Sequence, residues 1–193
     1  MTKLHKLLIA VSLMAAGASA QAATFDLNLN DDAARGQLSG PLANLFSDAD
    51  GEYQGAILYS DDRNNELLVL SGGALLTGDA GLQDAKLTAG LGLRGQNIDT
   101  TSDEGGGGAI GGQFDLRFNG FDRLGFQGYV WYQPKILGLG DIDDQLEWAL
   151  SADYQILRNA SVYVGYRKVT LSPQAGGSYT VDDGPHFGLR LTF

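Results

Sequence analysis

The chain has 193 residues with 28 Gly, 4 Pro, no Cys and 2 His, and its 13 Lys plus Arg stand against 23 Asp plus Glu. The glycine share is roughly twice the usual value of about 7%, yet 44% of the residues are apolar, so the chain can pack one domain and is neither collagen-like nor globally disordered. The absence of Cys excludes disulfide scaffolds, thiolate metal sites and Cys nucleophiles, and a net charge of −10 argues against nucleic acid as a partner, since phosphate binding needs clustered Lys and Arg.

Residues 1–22 read as a cleaved signal peptide. Lys3, His5 and Lys6 form a positive start, Leu7 to Ala18 an apolar run, and Ala18-Ser19-Ala20 or Ala20-Gln21-Ala22 a small-residue cleavage site. The competing reading is an amphipathic cytoplasmic helix, but the run has no polar face. It is also too short to span a bilayer. Its removal takes away two Lys and no acid, so residues 23–193 are more acidic still and keep His186 alone. One His without Cys leaves few routes to a metal site or an acid–base triad, so no metal and no cofactor are expected.

No later segment approaches the roughly 20 consecutive apolar residues of a membrane-spanning helix. Apolar residues instead recur at every second position, the spacing of a β-strand with two unlike faces. In chain order the predicted strands are 24–30, 33–39, 52–60, 66–76, 85–95, 109–118, 124–133, 145–157, 160–171 and 184–193. In the first, Phe25, Leu27 and Leu29 alternate with Asp26, Asn28 and Asn30. In the eighth, Leu146, Trp148, Leu150, Ala152, Tyr154 and Ile156 hold one phase against Gln145, Glu147, Ser151, Asp153 and Gln155. That strand has the length of a tilted membrane strand, about 9–11 residues, whereas globular strands cluster near 5–6.

The fold class expected is an all-β, antiparallel transmembrane β-barrel over residues 23–193. Ten strands is the first count, and the even number suits a bacterial barrel. Eight is the alternative, because residues 40–51 would make an unusually long turn and could leave the first hairpin outside. Connections 96–108, 134–144 and 172–183 read as long, and 119–123 and 158–159 as short, the asymmetry of such barrels when both termini are periplasmic. Tyr132, Trp148, Tyr166 and Phe193, near strand ends, fit a membrane girdle.

The C-terminal third carries Gly140-Asp141, Leu146-Glu147, Tyr154-Gln155-Ile156-Leu157-Arg158-Asn159, Val162-Tyr163-Val164-Gly165-Tyr166-Arg167-Lys168 and His186-Phe187-Gly188-Leu189-Arg190-Leu191-Thr192-Phe193. These segments resemble the YfaZ family of outer-membrane proteins, most specifically in the Val-Gly-Tyr-Arg strand and the closing strand. The resemblance implies an outer-membrane location and a barrel, and no substrate or catalytic residue. The terminal Phe193, preceded by apolar residues at every second position, also resembles the signal that recruits barrels to their assembly machinery. Outer-membrane lipid and that machinery are therefore the expected partners, with the oligomeric state open.

Several motifs mimic chemistry. Gly90-Leu91-Gly92-Leu93-Arg94-Gly95 has dinucleotide-fingerprint spacing, but it lies within a strand and no helix follows. Gly105 to Gly108 read as a flexible loop without a phosphate-binding Lys. Ser47 to Glu52 and Asp141 to Asp144 offer oxygens to Ca²⁺ but lack the twelve-residue loop spacing, so solvated turns are the plainer reading.

By alternation, Asp26, Arg35, Lys86, Arg94, Asp115, Arg117, Glu147, Asp153, Arg167 and Arg190 point inward, with Gln113, Gln127, Gln145 and Gln155. Charges of both signs inside so small a barrel must pair, which favours a narrow or plugged lumen. Gly90, Gly92, Gly111, Gly125, Gly165 and Gly188 leave room for a thin water path, and loop acids such as Asp61, Asp99, Asp141, Asp182 and Asp183 would enrich cations at its mouth. The first functional reading is a narrow cation-preferring channel whose constriction sets Arg94, Arg117, Arg167 and Arg190 against Asp115, Glu147 and Asp153. The alternative is a closed barrel with a structural or surface-interaction role. A weaker third reading is a hydrolase or acyltransferase with His186 as base, Ser151 or Ser161 as nucleophile and a carboxylate within reach. No catalytic residue is assigned.

Overall fold

The computed structural model describes residues 23–46, 49–62 and 65–193. The signal-peptide reading of residues 1–22, and the start of the Ser47–Glu52 acidic stretch, lie outside the described residues. Alternating side chains produce eleven strands: β1 Thr24–Leu29, β2 Ala33–Pro41, β3 Glu52–Asp62, β4 Asn65–Asp79, β5 Ala85–Thr100, β6 Glu104–Phe118, β7 Leu124–Gln133, β8 Gly138–Gly140, β9 Ile142–Leu157, β10 Ala160–Pro173 and β11 Tyr179–Thr192. All pairings are antiparallel. Ten of the strands close a ring in the order β5-β4-β3-β2-β1-β11-β10-β9-β7-β6, sealed by β5–β6, and β8 is an addition on β6. The β1–β2 hairpin belongs to the ring, so the count is ten and not eight. Closure leaves no open strand edge in the ring, which a sheet in lipid requires.

Ala23, the first described residue, and the C-terminal Phe193 lie at one mouth, where the Phe193 N–H donates to the Ala23 carbonyl at 2.8 Å. This mouth is called the termini end, and the opposite one the far end. The alternation sorts the faces as the sequence implies. Leu91, Leu93, Val130, Leu150, Val162, Val164, Phe187 and Leu189 are exposed on the outside, while Asp26, Arg35, Arg94, Glu147, Asp153 and Arg167 are buried within.

Two expectations about the connections fail. Residues 96–100 and 104–108 are strand, so the β5–β6 hairpin turns over 101–103 alone. Likewise β10 and β11 extend to leave only 174–178 between them. The long connection after β7 is also structured, with a 3-10 turn at Lys135–Leu137 followed by β8. The reason is physical: β5 has 16 residues and β6 has 15, more than the about 9–11 that cross a bilayer. Beyond the lipid band a strand needs no apolar outer face, so the sequence loses its alternation while hydrogen bonding continues.

The Gly105–Gly108 run is therefore ladder and not flexible loop. Gly105 to Gly107 pair with β5 on one side and with β8 on the other. Gly107 has φ +144, and a Cβ there would overlap the Leu137 carbonyl. Gly107→Val is expected to destabilise by at least the 1–3 kcal/mol of roughly such backbone strain, read as a lower urea midpoint for loss of the gel-mobility difference between unheated and boiled protein. An unchanged midpoint would show that β8 does not pin the tract. At the other end the 119–123 turn uses Gly120 at φ +88 with open space around it, the conformation that only Gly adopts without cost.

Candidate functional site

The lumen is layered. Toward the far end Ala33, Leu58, Leu67, Val69, Ile98, Ile142, Val169, Leu171 and Val181 form one apolar cluster, with Tyr179 packed against it. Leu67, Ile98, Val169 and Leu171 are 0% exposed, so apolar side chains from both sides of the ring meet across the interior. A barrel of about eight strands is just wide enough for side chains to fill, and ten adds little.

Next to this seal lies a glutamine cluster. The Gln96 amide donates to Gln133 Oε1 at 2.8 Å and also to Gln145 Oε1. Arg94, on the same strand, donates to Gln96 at 2.8 Å and reaches across the lumen to Glu147 at 2.7 Å. Glu147 also accepts from the Tyr129 hydroxyl at 3.0 Å and lies 3.8 Å from the Arg35 guanidinium. Arg94 stacks over Trp131 and Arg35 over Tyr129, an arrangement that suits a desolvated guanidinium. A second buried knot joins Arg167 to Asp182, and to Asn28 at 2.5 Å.

Toward the termini end the inward side chains gain exposure, and a cavity of 280 Å³ opens among Asp26, Arg35, Gln54, Gln113, Tyr163, His186 and their neighbours. Most of its charges are paired in its own wall, and Glu52 accepts from the Gln113 amide at 3.4 Å. Arg190 donates to Asp26 at 3.0 Å, and Arg117 holds Asp115 at 3.2 Å and Asp153 at 2.8 Å.

Each residue of the expected constriction faces inward, but not as one ring. Arg94 and Glu147 meet directly, and Arg117 joins Asp115 and Asp153. Arg167 and Arg190 instead take Asp182 and Asp26. Lys86 is exposed at the mouth, and Gln155 donates to the Arg158 carbonyl in the β9–β10 turn. Asp182 is a correction: it is a buried partner of Arg167 and not a loop acid. Register shifts between Val169 and Thr170, where Val169 pairs with Asp182 and Thr170 with Thr180. The bulge lets the consecutive Val181 and Asp182 both be buried, and period-two reading cannot see it.

Three of the glycines expected to leave a water path do not, while Gly90 lines the cavity. Large neighbouring side chains occupy the space: a Cβ at Gly111 would overlap Trp131, one at Gly125 would overlap Asp153, and one at Gly188 would overlap the Tyr163 ring. Small residues beside large ones are how a narrow barrel fills.

For the hydrolase reading, Gly165 of β10 stands between Ser151 of β9 and His186 of β11, so these two side chains share a stretch of wall. His186 Nδ1 has no hydrogen-bond partner among the described residues, so no carboxylate orients the ring through that atom. Ser161 pairs with Arg190 further along. Of the Asp141–Asp144 group, Asp143 is held by Lys135 at 2.5 Å and Ile142 is buried in the seal.

On the outside, Tyr132 and Tyr166 are exposed, and Trp148 lies 5.7 Å from Tyr166, ring centre to ring centre. Phe193 is exposed at the termini end, where Phe118, Phe121, Phe126 and Tyr154 are also exposed.

A closed, even-stranded antiparallel barrel, apolar outside and polar within, is a transmembrane β-barrel of the outer-membrane class. Among the described residues no helix is long and apolar enough to cross a membrane, and crossing by strands needs none. The model of the family described as YfaZ precursor matches residues 1–193, and the chain belongs to the YfaZ family. A relative named outer membrane protein YfaZ, from Escherichia coli (strain K12), is 35% identical over 92 residues, covering 47% of this chain and 49% of the relative. The chain thus matches about half the length of that curated relative, and the protein's place is the outer membrane. Among solved structures it is similar to the KdgM porin in complex with disordered oligogalacturonate, with TM-score 0.42, 10% identity and coverage of 89% of this chain and 99% of that one. It is also similar to the outer membrane channel DcaP of Acinetobacter baumannii, with TM-score 0.38, 10% identity and coverage of 87% and 54%.

Proposed function

We propose that the protein is a closed outer-membrane barrel with a structural or surface-interaction role, not an open cation-preferring channel. The observation that carries this reading is the far-end seal, in which Leu67, Ile98, Val169 and Leu171 are fully buried. An ion crossing it would shed its water against apolar side chains, the geometry by which hydrophobic constrictions block conduction. The paired Arg94–Glu147 and Arg167–Asp182 knots support the same reading, because their charges bind each other and leave little for a permeant ion. In this reading the termini end is periplasmic, and the strands that outrun the lipid band do so at the far end. The far-end hairpins then reach beyond the outer surface and make the contacts. Tyr132, Trp148 and Tyr166 serve as girdle aromatics toward the outer leaflet and Phe193 toward the inner, with Phe193 also the handle for the assembly machinery. The barrel is not an enzyme, a view supported by the His186 ring having no orienting partner at Nδ1.

The test is planar-bilayer conductance of protein whose gel mobility shifts on boiling, as a folded barrel's does. Silence is expected at all voltages that leave the bilayer intact. Discrete current steps with cation preference would overturn the closed reading.

A further inference from the structure

The cavity at the termini end has features that the closed-barrel reading does not use. Three polar atoms on its wall lack a hydrogen-bond partner among the described residues: Gln54 Nε2, Gln127 Nε2 and His186 Nδ1. Gln54 is 7% exposed and His186 5%, so bulk water does not readily satisfy either, and a buried donor left unpaired costs about 1–3 kcal/mol. They are also well placed around the wall. Gln54 lies on β3, His186 on β11 and Gln127 on β7, and these strands stand three, three and four steps apart around the ring of ten. Three neutral polar groups thus stand at about equally spaced points around the wall of one cavity.

Most charged groups around that volume are already paired, and Glu52, also on the wall, accepts from the Gln113 amide at 3.4 Å. Asp26 takes Arg190 and the Tyr163 hydroxyl, Asp115 and Asp153 share Arg117, and Arg35 lies against Glu147. An anionic ligand would have to break one of these pairs and a cationic one would have only Glu52, beside the Gln113 amide, to turn to, whereas a neutral one need only complete the unpartnered polar groups. The volume of 280 Å³ sits just below the usual range of about 300–1,000 Å³ for ligand pockets, which limits the occupant to one small molecule.

We propose that the vestibule binds one small, neutral, polyhydroxylated solute of monosaccharide or cyclitol size, held around its rim by Gln54, Gln127 and His186. A ring with hydroxyls radiating in several directions meets three converging groups, and each hydroxyl both accepts and donates. The inference concerns the vestibule alone and holds whether or not the lumen beyond it conducts.

Trp131 lines the cavity and Trp148 does not, so tryptophan emission of the folded protein in detergent provides a readout. Glucose, myo-inositol and N-acetylglucosamine are the probes, with glucuronate and choline as charged controls. Saturable binding of at least one neutral probe is expected, at least tenfold tighter than either control. Gln54→Leu and Gln127→Leu should each weaken it by about three- to tenfold, the worth of one hydrogen bond, while Val164→Ala on the outer face leaves it unchanged. If a leucine variant loses its heat-dependent gel shift, Thr88→Trp at the exposed mouth replaces it, and blocked binding is expected. Absence of saturable binding by all three neutral probes overturns the proposal. So does tighter binding of a charged control, or binding untouched by the wall and mouth variants, which would mark an adventitious additive only.

Discussion

Glu147→Ala is expected to destabilise the folded barrel by about 3–5 kcal/mol, the cost of removing one partner from a buried charge cluster. Arg94 at 2.7 Å and Arg35 at 3.8 Å would both lose their carboxylate, and the Tyr129 hydroxyl its acceptor. All of these groups lie inside the barrel, where water cannot easily replace the lost partner. The urea midpoint of the heat-modifiable band, measured in lipid vesicles, checks the loss. Glu147→Gln should fall between the two, because it keeps an acceptor for Tyr129 and Arg94 while losing the charge. A midpoint within error of wild type for the alanine variant would show that solvent reaches this layer.

Arg167→Ala should cost about as much, again roughly 3–5 kcal/mol, by leaving Asp182 buried without its cation. The diagnostic result lies in the double variant. Asp182→Asn removes the charge yet keeps an oxygen for the Asn30 amide, which donates to Asp182 at 2.7 Å. Arg167→Met with Asp182→Asn should therefore recover most of the stability lost in Arg167→Ala, since replacing both members of a buried pair is far cheaper than orphaning one. Equal losses in the single and double variants would mean that Arg167 matters for its volume and not its charge.

The period-two pattern made the barrel legible because one side of each strand meets lipid and the other meets polar side chains. Val162, Val164 and Tyr166 against Ser161, Tyr163, Gly165 and Arg167 is such a record, and the structure places those faces outward and inward accordingly. Legibility stops where lipid stops. Asn97, Asp99 and Gly105 to Gly108 belong to strands, yet outside the bilayer their outer faces are under no demand to be apolar. The lumen is legible as to most of the charges that turn inward, Asp182 excepted, but not as to their partners, since pairing depends on ring order and register. The Val169 bulge hid Asp182 as the partner of Arg167, and only closure brings Arg94 of β5 to Glu147 of β9. The far-end seal was missed for a related reason. Leu58, Val69, Ile98 and Val169 face the lumen, and apolar residues on both faces of a strand end blur the alternation that names an interior.

Thiol labelling of single introduced cysteines tests the central claim, a lumen open at the termini end and sealed at the far end. The chain contains no Cys, so each variant reports one position. Val169→Cys conserves most of the side-chain volume at a fully buried point in the seal, and Thr88→Cys sits on the exposed wall of the vestibule. In folded protein in detergent, where both mouths meet solvent, a small charged maleimide should modify Thr88→Cys rapidly and leave Val169→Cys unmodified until the barrel is unfolded. Comparable rates at the two positions would mean that water runs through the seal, and the lumen would then be a channel.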